Sequence, residues 1–346
     1  MSDYKIWLDG HAIEGAGQIT VINPATEKAF ATIARSDQAL VDKAVAAAIS
    51  AQKLWSAVPI AEKQAVLLAL ADGINARAEE LSRVLTMEQG KPLAESSAEV
   101  AYTEAFIRHF ATFDLPVEVL QDDAEKYVEL HREPLGVVAC IIPWNFPLLI
   151  ISFKVPLALL AGNACILKPS PTTPLTAALF AEICAAVLPA GLVNTVNDEN
   201  DLGAYLTEHP DVAKISFTGS TQTGKRVMAS ASGTLKRLTL ELGGNDPAIV
   251  LGDVDVKDAA QKLFAGAFMN CGQVCLAVKR VYVHESVYED LCAELARLAD
   301  AAVVGNGMEE GTEIGPLNNA MQYEKVRAYL EGARSAGKII AGGEVP

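Results

Sequence analysis

From residue 135 to about residue 240 the chain alternates between short apolar runs and helical patterns, and this alternation constrains the fold most strongly. The apolar runs predict strands at Val137–Ile142, Ala164–Lys168, Leu192–Val196, Ala213–Phe217 and Leu235–Leu240. Helical patterns lie between them at Phe146–Ala161, Pro174–Val187, Asp201–His209 and Thr221–Ser230. Such alternation predicts an α/β fold with a parallel sheet covered by crossover helices. Ligands bind such sheets at the carboxyl ends of the strands, where the strand order reverses.

The flanking segments follow other patterns. The first 112 residues are rich in alanine and mostly helical in pattern, with predicted helices at Gln38–Trp55, Ala61–Gln89 and about Ala94–Thr112. The segment Lys126–Arg132 alternates between polar and apolar residues and predicts an exposed strand. After a predicted hinge at Gly243-Gly244, a second α/β unit is expected, with strands near Ala248–Leu251, Arg280–His284 and Lys338–Ile340.

Charge and hydropathy exclude two classes of partner. The chain has 28 Lys+Arg against 43 Asp+Glu, a formal charge of −15, which repels a nucleic-acid backbone. Residues 135–152 carry no charge over the length of a membrane span, but Pro143 and Pro147 interrupt the run. We therefore expect a buried strand and its exit loop, and no membrane segment. Because the N-terminus lacks an apolar signal core, we expect a cytoplasmic protein.

The segment from Phe217 to Arg226, FTGSTQTGKR, resembles part of a nucleotide-binding loop. Gly219, Gly224 and Lys225 match most of a P-loop, but Arg226 stands where a Ser or Thr would hold magnesium. The fingerprint G-x-G-x-x-G is absent. Backbone N–H groups at a helix N-terminus would still favour a phosphate-bearing cofactor. The alternative is a simple strand-to-helix turn.

Polar side chains at predicted strand exits, together with two cysteines, form a candidate site. Asn145, Lys168 and Glu241 follow apolar strands, and the stretch NCGQVC places Cys271 and Cys275 four residues apart. A thiol can act as a nucleophile, a carboxylate as a general base and an amide as an oxyanion donor. Taken alone, the cysteines could also be metal ligands, a redox pair, or one nucleophile and one bystander.

Six motifs then occur in order and closely resemble the NAD(P)-dependent aldehyde dehydrogenase superfamily: INPATEK, PWNFP, LKPSPTTPLT, SFTGSTQTGK, LELGGNDP and NCGQVCLA. The resemblance implies that Cys275 attacks an aldehyde to form a thiohemiacetal, which loses hydride to the nicotinamide and becomes a thioester that water hydrolyses. Glu241 would be the base for Cys275 or for the water. Asn145 would hold the oxyanion, Lys154 would relay protons behind Glu241, and Cys271 would be a bystander.

The resemblance also implies a cofactor, a domain organisation and an assembly. The expected cofactor is NAD, with NADP as an alternative because Pro171 replaces a glutamate that many members place three residues after the Lys168 position. The implied cofactor contacts are Trp144, Lys168, Gly203, Phe217, Gly219, Ser220 and Leu242. A Rossmann-like domain would comprise residues 1–116 and 134–244. Residues 117–133 would form an oligomerisation strand segment, and residues 245–346 would form a partial catalytic domain. Members are homodimers or homotetramers and continue beyond the segment ending at Pro346, so a C-terminal truncation is expected.

Three other functions are compatible with parts of the sequence. A CoA-acylating relative would resolve the thioester with a thiol instead of water, but that branch usually lacks the base at Glu241. A truncated, catalytically impaired homologue could bind cofactor or serve a structural role. A zinc protein fits less well, because the five histidines are scattered and Cys271 and Cys275 have no second ligand pair nearby.

Overall fold

The computed structural model describes residues 2–344, and residues 2–35 form five strands joined by short turns. The strands are β1 (Ser2–Tyr4), β2 (Ile6–Leu8), β3 (His11–Ile13), β4 (Gly17–Asn23) and β5 (Lys28–Arg35). No helix is predicted from the sequence before Gln38, but these strands are not predicted either. In β4, Ile19 and Val21 are buried whereas Thr20 and Ile22 are exposed, which is the two-residue period of a strand. β4 pairs antiparallel with β5, and β1 pairs parallel with β5.

Four helices follow, and they confirm the rest of the predicted N-terminal pattern. They are α1 (Gln38–Trp55), α2 (Ile60–Ala76), α3 (Ala78–Gln89) and α4 (Leu93–Phe110). The run predicted as one helix over 61–89 divides at Arg77, which carries non-helical backbone angles. Gly90 ends α3 with φ +103°, and a Cβ there would lie 2.9 Å from Pro24, so this turn requires glycine.

An antiparallel ribbon separates these helices from the central sheet. It consists of β6 (Glu118–Asp122) and β7 (Tyr127–Leu130), which confirms the strand predicted at Lys126–Arg132. Val119, Leu120 and Tyr127 are exposed on the ribbon.

The central sheet has five parallel strands, as the alternating pattern predicts. The strands are β8 (Val137–Ile141), β9 (Ala164–Lys168), β10 (Val193–Thr195), β11 (Val212–Thr218) and β12 (Arg237–Glu241). The connecting helices are α5 (Pro147–Leu160), α6 (Leu175–Val187), α7 (Gly203–Glu208) and α8 (Thr221–Ala231). The strand order is β10-β9-β8-β11-β12, so the order reverses between β8 and β11. A ligand crevice is therefore expected at the carboxyl ends of these two strands.

A smaller unit follows β12. It contains β13 (Asp246–Val250), α9 (Val256–Phe268), β14 (Val278–Val283), α10 (Tyr288–Ala301) and α11 (Ala320–Ala336). β13 and β14 pair in parallel, which confirms two predicted strands. The strand predicted at Lys338–Ile340 is wrong, since these residues pair with no strand within residues 2–344.

Two hydrophobic cores underlie the two units. The larger core extends from Ile19 to Ala231 along the chain, and the smaller one is built on Val250, Ala260 and Leu291. The division that the sequence predicts after residue 244 falls between these cores, while the individual domain limits stay a prediction. Among residues 2–344, no helix combines the length and apolar character needed to cross a membrane.

Candidate active site

The candidate residues follow the carboxyl ends of the central strands. Lys168 is the last residue of β9 and Glu241 the last residue of β12, while Phe217 lies near the end of β11. The remaining positions lie just beyond strands or at the start of helices: Trp144, Asn145, Gly203, Gly219, Ser220 and Leu242. The topology therefore brings these residues to one edge of the sheet, because the ends of parallel strands meet there.

Asn145 contacts the segment that carries the two cysteines. Its Nδ2 donates a hydrogen bond of 2.8 Å to the carbonyl oxygen of Gln273, two residues before Cys275. The carbonyl oxygen of Asn145 accepts bonds of 2.9 Å from Lys91 Nζ and from Asn270 Nδ2. Both ends of the asparagine are therefore fixed, and a side-chain amide has a second N–H with which to bind an anion.

Gly244 lies against the backbone of Cys275. A Cβ at Gly244 would stand 2.6 Å from the carbonyl oxygen of Cys275, so a side chain at this position would collide with the cysteine segment. The same carbonyl accepts a hydrogen bond of 3.0 Å from Lys279 Nζ. Gly244, one of the two glycines predicted as a hinge, thus allows the segment after Glu241 to approach the partly buried Cys275.

Backbone strain is concentrated just before Cys275. Asn270 and Cys271 have φ of 54° and 58°, in the left-handed region that non-glycine residues seldom occupy. Glu95 on α4 stabilises this turn, because its two carboxylate oxygens accept the backbone N–H of Asn270 at 3.0 and 3.1 Å. Burial raises the pKa of Glu95. Such strain persists only where surrounding contacts enforce it, and it occurs often at functional sites.

Cys271 is partly buried and hydrogen-bonded through its sulfur. The Sγ of Cys271 accepts the backbone N–H of Gly315 at 3.1 Å, and burial raises the pKa of its thiol to about 11. At neutral pH Cys271 is therefore almost wholly protonated and a poor nucleophile. All six cysteines are free. The other four cysteines lie in apolar or helical sequence settings that predict burial; Cys140, Cys165 and Cys184 are buried, whereas Cys292 is only partly buried.

Lys154 lies in the interior beneath the sheet edge. It projects from α5 and donates a hydrogen bond of 3.0 Å to Ser216 Oγ on β11. Burial lowers the pKa of Lys154 to about 8, although the charge of Glu241 acts in the opposite direction. The side chain of Glu241 is exposed, and its backbone carbonyl accepts the N–H of Gly219 at 3.0 Å. A lysine with such a pKa can gain and lose a proton near neutral pH.

The edge next to β11 fits a phosphate-bearing cofactor. A Cβ at Gly219 would lie 2.6 Å from the ring of Phe217, so the ring packs directly against this glycine and leaves no room for a side chain. Ser220 caps α8 by accepting the N–H of Thr223 at 3.2 Å. Leu242 packs so closely on α8 that a Cβ at Gly224 would lie 2.6 Å from it. The N-terminus of α8 therefore offers uncovered N–H groups and a favourable dipole to a phosphate group.

Sequence reasoning missed four residues that support the site. Lys91, in the Gly-Lys-Pro segment that follows α3, lies 2.5 Å from Glu99, and both side chains are fully buried. Glu99 also accepts the backbone N–H groups of Leu148 and Leu149 at 3.0 Å. The other two are Glu95 and Asp198. Glu95 is described above, and Asp198 lies 2.6 Å from Lys168 Nζ. No spacing or motif marks these residues, because most of their partners lie on other elements.

Comparison with known proteins gives a consistent assignment. The model of the aldehyde dehydrogenase family matches residues 11–346. Phenylacetaldehyde dehydrogenase of Pseudomonas fluorescens is 40% identical over 340 residues, which are 94% of this chain and 68% of that protein. Among solved structures, PnpE in complex with nicotinamide adenine dinucleotide has a TM-score of 0.96 and 37% identity, over 99% of this chain and 72% of that one.

A second solved structure extends the comparison to the phosphorylated cofactor. An NADP-dependent enzyme of E. coli has a TM-score of 0.96 and 32% identity, over 100% of this chain and 73% of that one. The two structural likenesses confirm the fold class predicted from the ordered motifs. In each of these three proteins, more than a quarter of the length lies outside the region that this chain matches.

Proposed function

The chain belongs to the aldehyde dehydrogenase family and is an NAD(P)-dependent aldehyde dehydrogenase, and we propose that it oxidises its aldehyde through a covalent adduct on Cys275. The observation that carries this proposal is the 2.8 Å hydrogen bond from Asn145 Nδ2 to the carbonyl oxygen of Gln273. This bond holds an amide beside the segment that ends in Cys275. It supports a pairing of nucleophile and oxyanion donor across two elements that are far apart in sequence.

The first step is attack of the Cys275 thiolate on the aldehyde carbon. A carbon–sulfur bond forms, and the carbonyl electron pair moves to the oxygen, which becomes an oxyanion. The second N–H of Asn145 Nδ2 and the backbone N–H of Cys275 would donate to that oxygen. One donor of this type typically lowers the barrier by about 3–4 kcal/mol. Lys91 and Asn270 contribute indirectly, because they hold the carbonyl oxygen of Asn145.

Cofactor binding is assigned to the carboxyl edge of the sheet. NAD(P) would be held by Trp144, Lys168, Gly203, Phe217, Gly219, Ser220 and Leu242, with its phosphates at the N-terminus of α8. The chemistry that the cofactor supplies when bound is acceptance of hydride from the carbon attached to sulfur. This oxidation converts the thiohemiacetal on Cys275 into a thioester.

Hydrolysis releases the acid and restores the thiol. Glu241 takes a proton from water as the water oxygen attacks the thioester carbon, and the carbon–sulfur bond then breaks with Cys275 as the leaving thiolate. The exposed carboxylate of Glu241 has access to water for this purpose. Lys154, whose pKa is about 8 as a result of burial, would accept the proton from behind the sheet edge through Ser216 or intervening water.

The assignment of the nucleophile is tested by two matched substitutions. Cys275→Ala should abolish NADH production from an aldehyde panel, whereas Cys271→Ala should keep turnover near that of the unaltered chain. Equilibrium binding of NADH should survive in both variants, since neither thiol lies among the proposed cofactor contacts. Turnover that persists in Cys275→Ala, or that is lost only in Cys271→Ala, would refute the proposed role of Cys275.

We further propose that the ribbon of β6 and β7 forms an oligomerisation segment, residues 117–133. This segment would separate the two parts of a cofactor domain, residues 1–116 and 134–244. Residues 245–346 would belong to the catalytic domain. Exposed Val119, Leu120 and Tyr127 on the ribbon support an interface between copies of this chain. Light scattering coupled to size-exclusion chromatography tests this proposal. Replacing Leu120 with Lys should shift a dimer or tetramer towards the monomer.

A further inference from the structure

Lys168 and Asp198 form a buried ion pair at the edge of the sheet proposed to bind the cofactor. The Nζ of Lys168 lies 2.6 Å from Asp198 Oδ1, and the two side chains are 6% and 0% exposed. We propose that Asp198 makes this site select NAD over its 2′-phosphorylated form. The inference rests on the proposed function, because it requires that Lys168 contacts the cofactor at its adenine ribose.

Asp198 is held firmly in this position. It lies three residues beyond the end of β10, and its second carboxylate oxygen accepts the backbone N–H of Leu202 at 2.8 Å. Gly203, another proposed cofactor contact, comes directly after Leu202, and a Cβ added there would lie 3.8 Å from Lys168 Cε. The carboxylate, the lysine and the proposed contact at Gly203 are thus neighbours at one point of the sheet edge.

The loop that follows Asp198 adds further negative charge. Residues 198–201 read Asp-Glu-Asn-Asp, so they carry three carboxylates. Arg35 lies 3.4 Å from Glu199 and 2.5 Å from Asp201, so its charge is already engaged by this loop. Lys168 and Arg35 together cannot balance three carboxylates, and the local charge remains negative.

A 2′-phosphate would be disfavoured in this environment for two reasons. It needs a free cation, but Lys168 is already neutralised by Asp198 and would have to leave a buried pair to reach it. It would also place added negative charge beside a buried carboxylate, where water screens repulsion poorly. A ribose 2′-hydroxyl incurs neither cost, because it is neutral and can accept a hydrogen bond from the lysine or donate one to a carboxylate.

Asp198 changes the cofactor preference that Pro171 alone would lead one to expect. The absence of a carboxylate at that position suggests that NADP is accepted, if the region near Lys168 is considered alone. Asp198 supplies a carboxylate to the same lysine from the neighbouring strand, at a position that the sequence does not connect with Lys168. The selectivity should therefore favour NAD in spite of Pro171.

Equilibrium binding of NADH and NADPH, followed by cofactor fluorescence, tests the proposal without any need for turnover. The unaltered chain should bind NADH about ten-fold or more tightly than NADPH, since a repulsion of this kind corresponds to at least one factor of ten. In Asp198→Asn, Lys168 loses its neutralising partner, and the ratio should fall by about ten-fold or more towards NADPH. Glu199→Gln, which removes an exposed carboxylate from the same loop, should change the ratio less than Asp198→Asn.

Each outcome bears on a separate conclusion. Tighter binding of NADPH than of NADH by the unaltered chain, or an unchanged ratio in a folded Asp198→Asn, would overturn the role of Asp198. If Asp198→Asn does not fold, Asp198→Ser and the ratio for the unaltered chain provide the same test. If the unaltered chain oxidises aldehydes but binds NADPH more tightly than NADH, only this inference is overturned. Failure of the unaltered chain to bind either cofactor overturns both it and the proposed function.

Discussion

The Nζ of Lys91 lies 2.5 Å from Glu99 Oε2 and 2.9 Å from the carbonyl oxygen of Asn145, and the side chains of Lys91 and Glu99 are fully buried. The other oxygen of Glu99 accepts the first backbone N–H groups of α5 at Leu148 and Leu149. The ion pair therefore joins α4 to Asn145 and to the start of α5, which follows Asn145 directly in the chain. The ring of Phe146 covers the ammonium group at 3.9 Å.

Replacing Lys91 with Met should destabilise the protein strongly. The substitution leaves Glu99 charged and buried without its cation, which typically costs about 3–5 kcal/mol in the free energy of unfolding. Urea denaturation measures this cost. In the double variant Lys91→Met with Glu99→Gln, the unpaired charge is gone and a substantial part of the stability should return. Additive losses in the two single variants would show that the pair is not coupled.

Some residues of this site can be predicted from the sequence and others cannot, and the difference has a physical reason. Asn145, Lys168 and Glu241 could be placed at one edge, because each follows an apolar strand and parallel strands share their carboxyl ends. Lys91 and Asp198 could not be connected with the site, because their buried partners lie on other elements and obey no helical or strand period. The strands before residue 36 were missed because three of them have only three residues, too few to display alternation.

Replacing Asn145 with Ala should slow the reaction without weakening cofactor binding. The loss of an oxyanion donor typically lowers kcat by about 10²–10³-fold. The equilibrium affinity for NADH should change little, since the amide contacts the cysteine segment through Gln273. Asn245→Ala, at an exposed asparagine, is the matched control and should preserve kcat. A variant at Asn145 that keeps the kcat of the unaltered chain would contradict the proposed oxyanion contact.

Glu241→Gln should separate the two roles open to this carboxylate. If Glu241 activates the hydrolytic water, a rapid burst of one NADH per site should persist while the steady-state rate falls by about 10²–10⁴-fold. Hydroxylamine, which attacks thioesters without a base, should then restore part of the steady-state rate. Stopped-flow absorbance of NADH measures both phases. A burst that slows as much as the steady state would instead assign Glu241 to activation of Cys275.

Lys154 should make the stability of the protein depend on pH in the alkaline range. Burial lowers the pKa of this lysine to about 8 in the folded state, from the ordinary value of 10.5. Between these two values the unfolded chain binds more protons than the folded one, so the free energy of unfolding rises with pH. Below about pH 8 both states hold the proton, and above about pH 10.5 neither does, so the contribution is constant outside this window.

The rise attributable to Lys154 should total roughly 3 kcal/mol across the window, since each pKa unit corresponds to about 1.4 kcal/mol. Guanidinium denaturation at intervals from about pH 7 to about pH 11 measures it as the difference between the unaltered chain and Lys154→Met, because the other titrating groups contribute equally to both chains and cancel. Lys225→Met, at an exposed lysine of α8, is the control and should leave the pH profile unchanged. Parallel profiles for the unaltered chain and Lys154→Met would show that burial does not depress this pKa. They would also remove the basis for Lys154 as a proton acceptor at neutral pH.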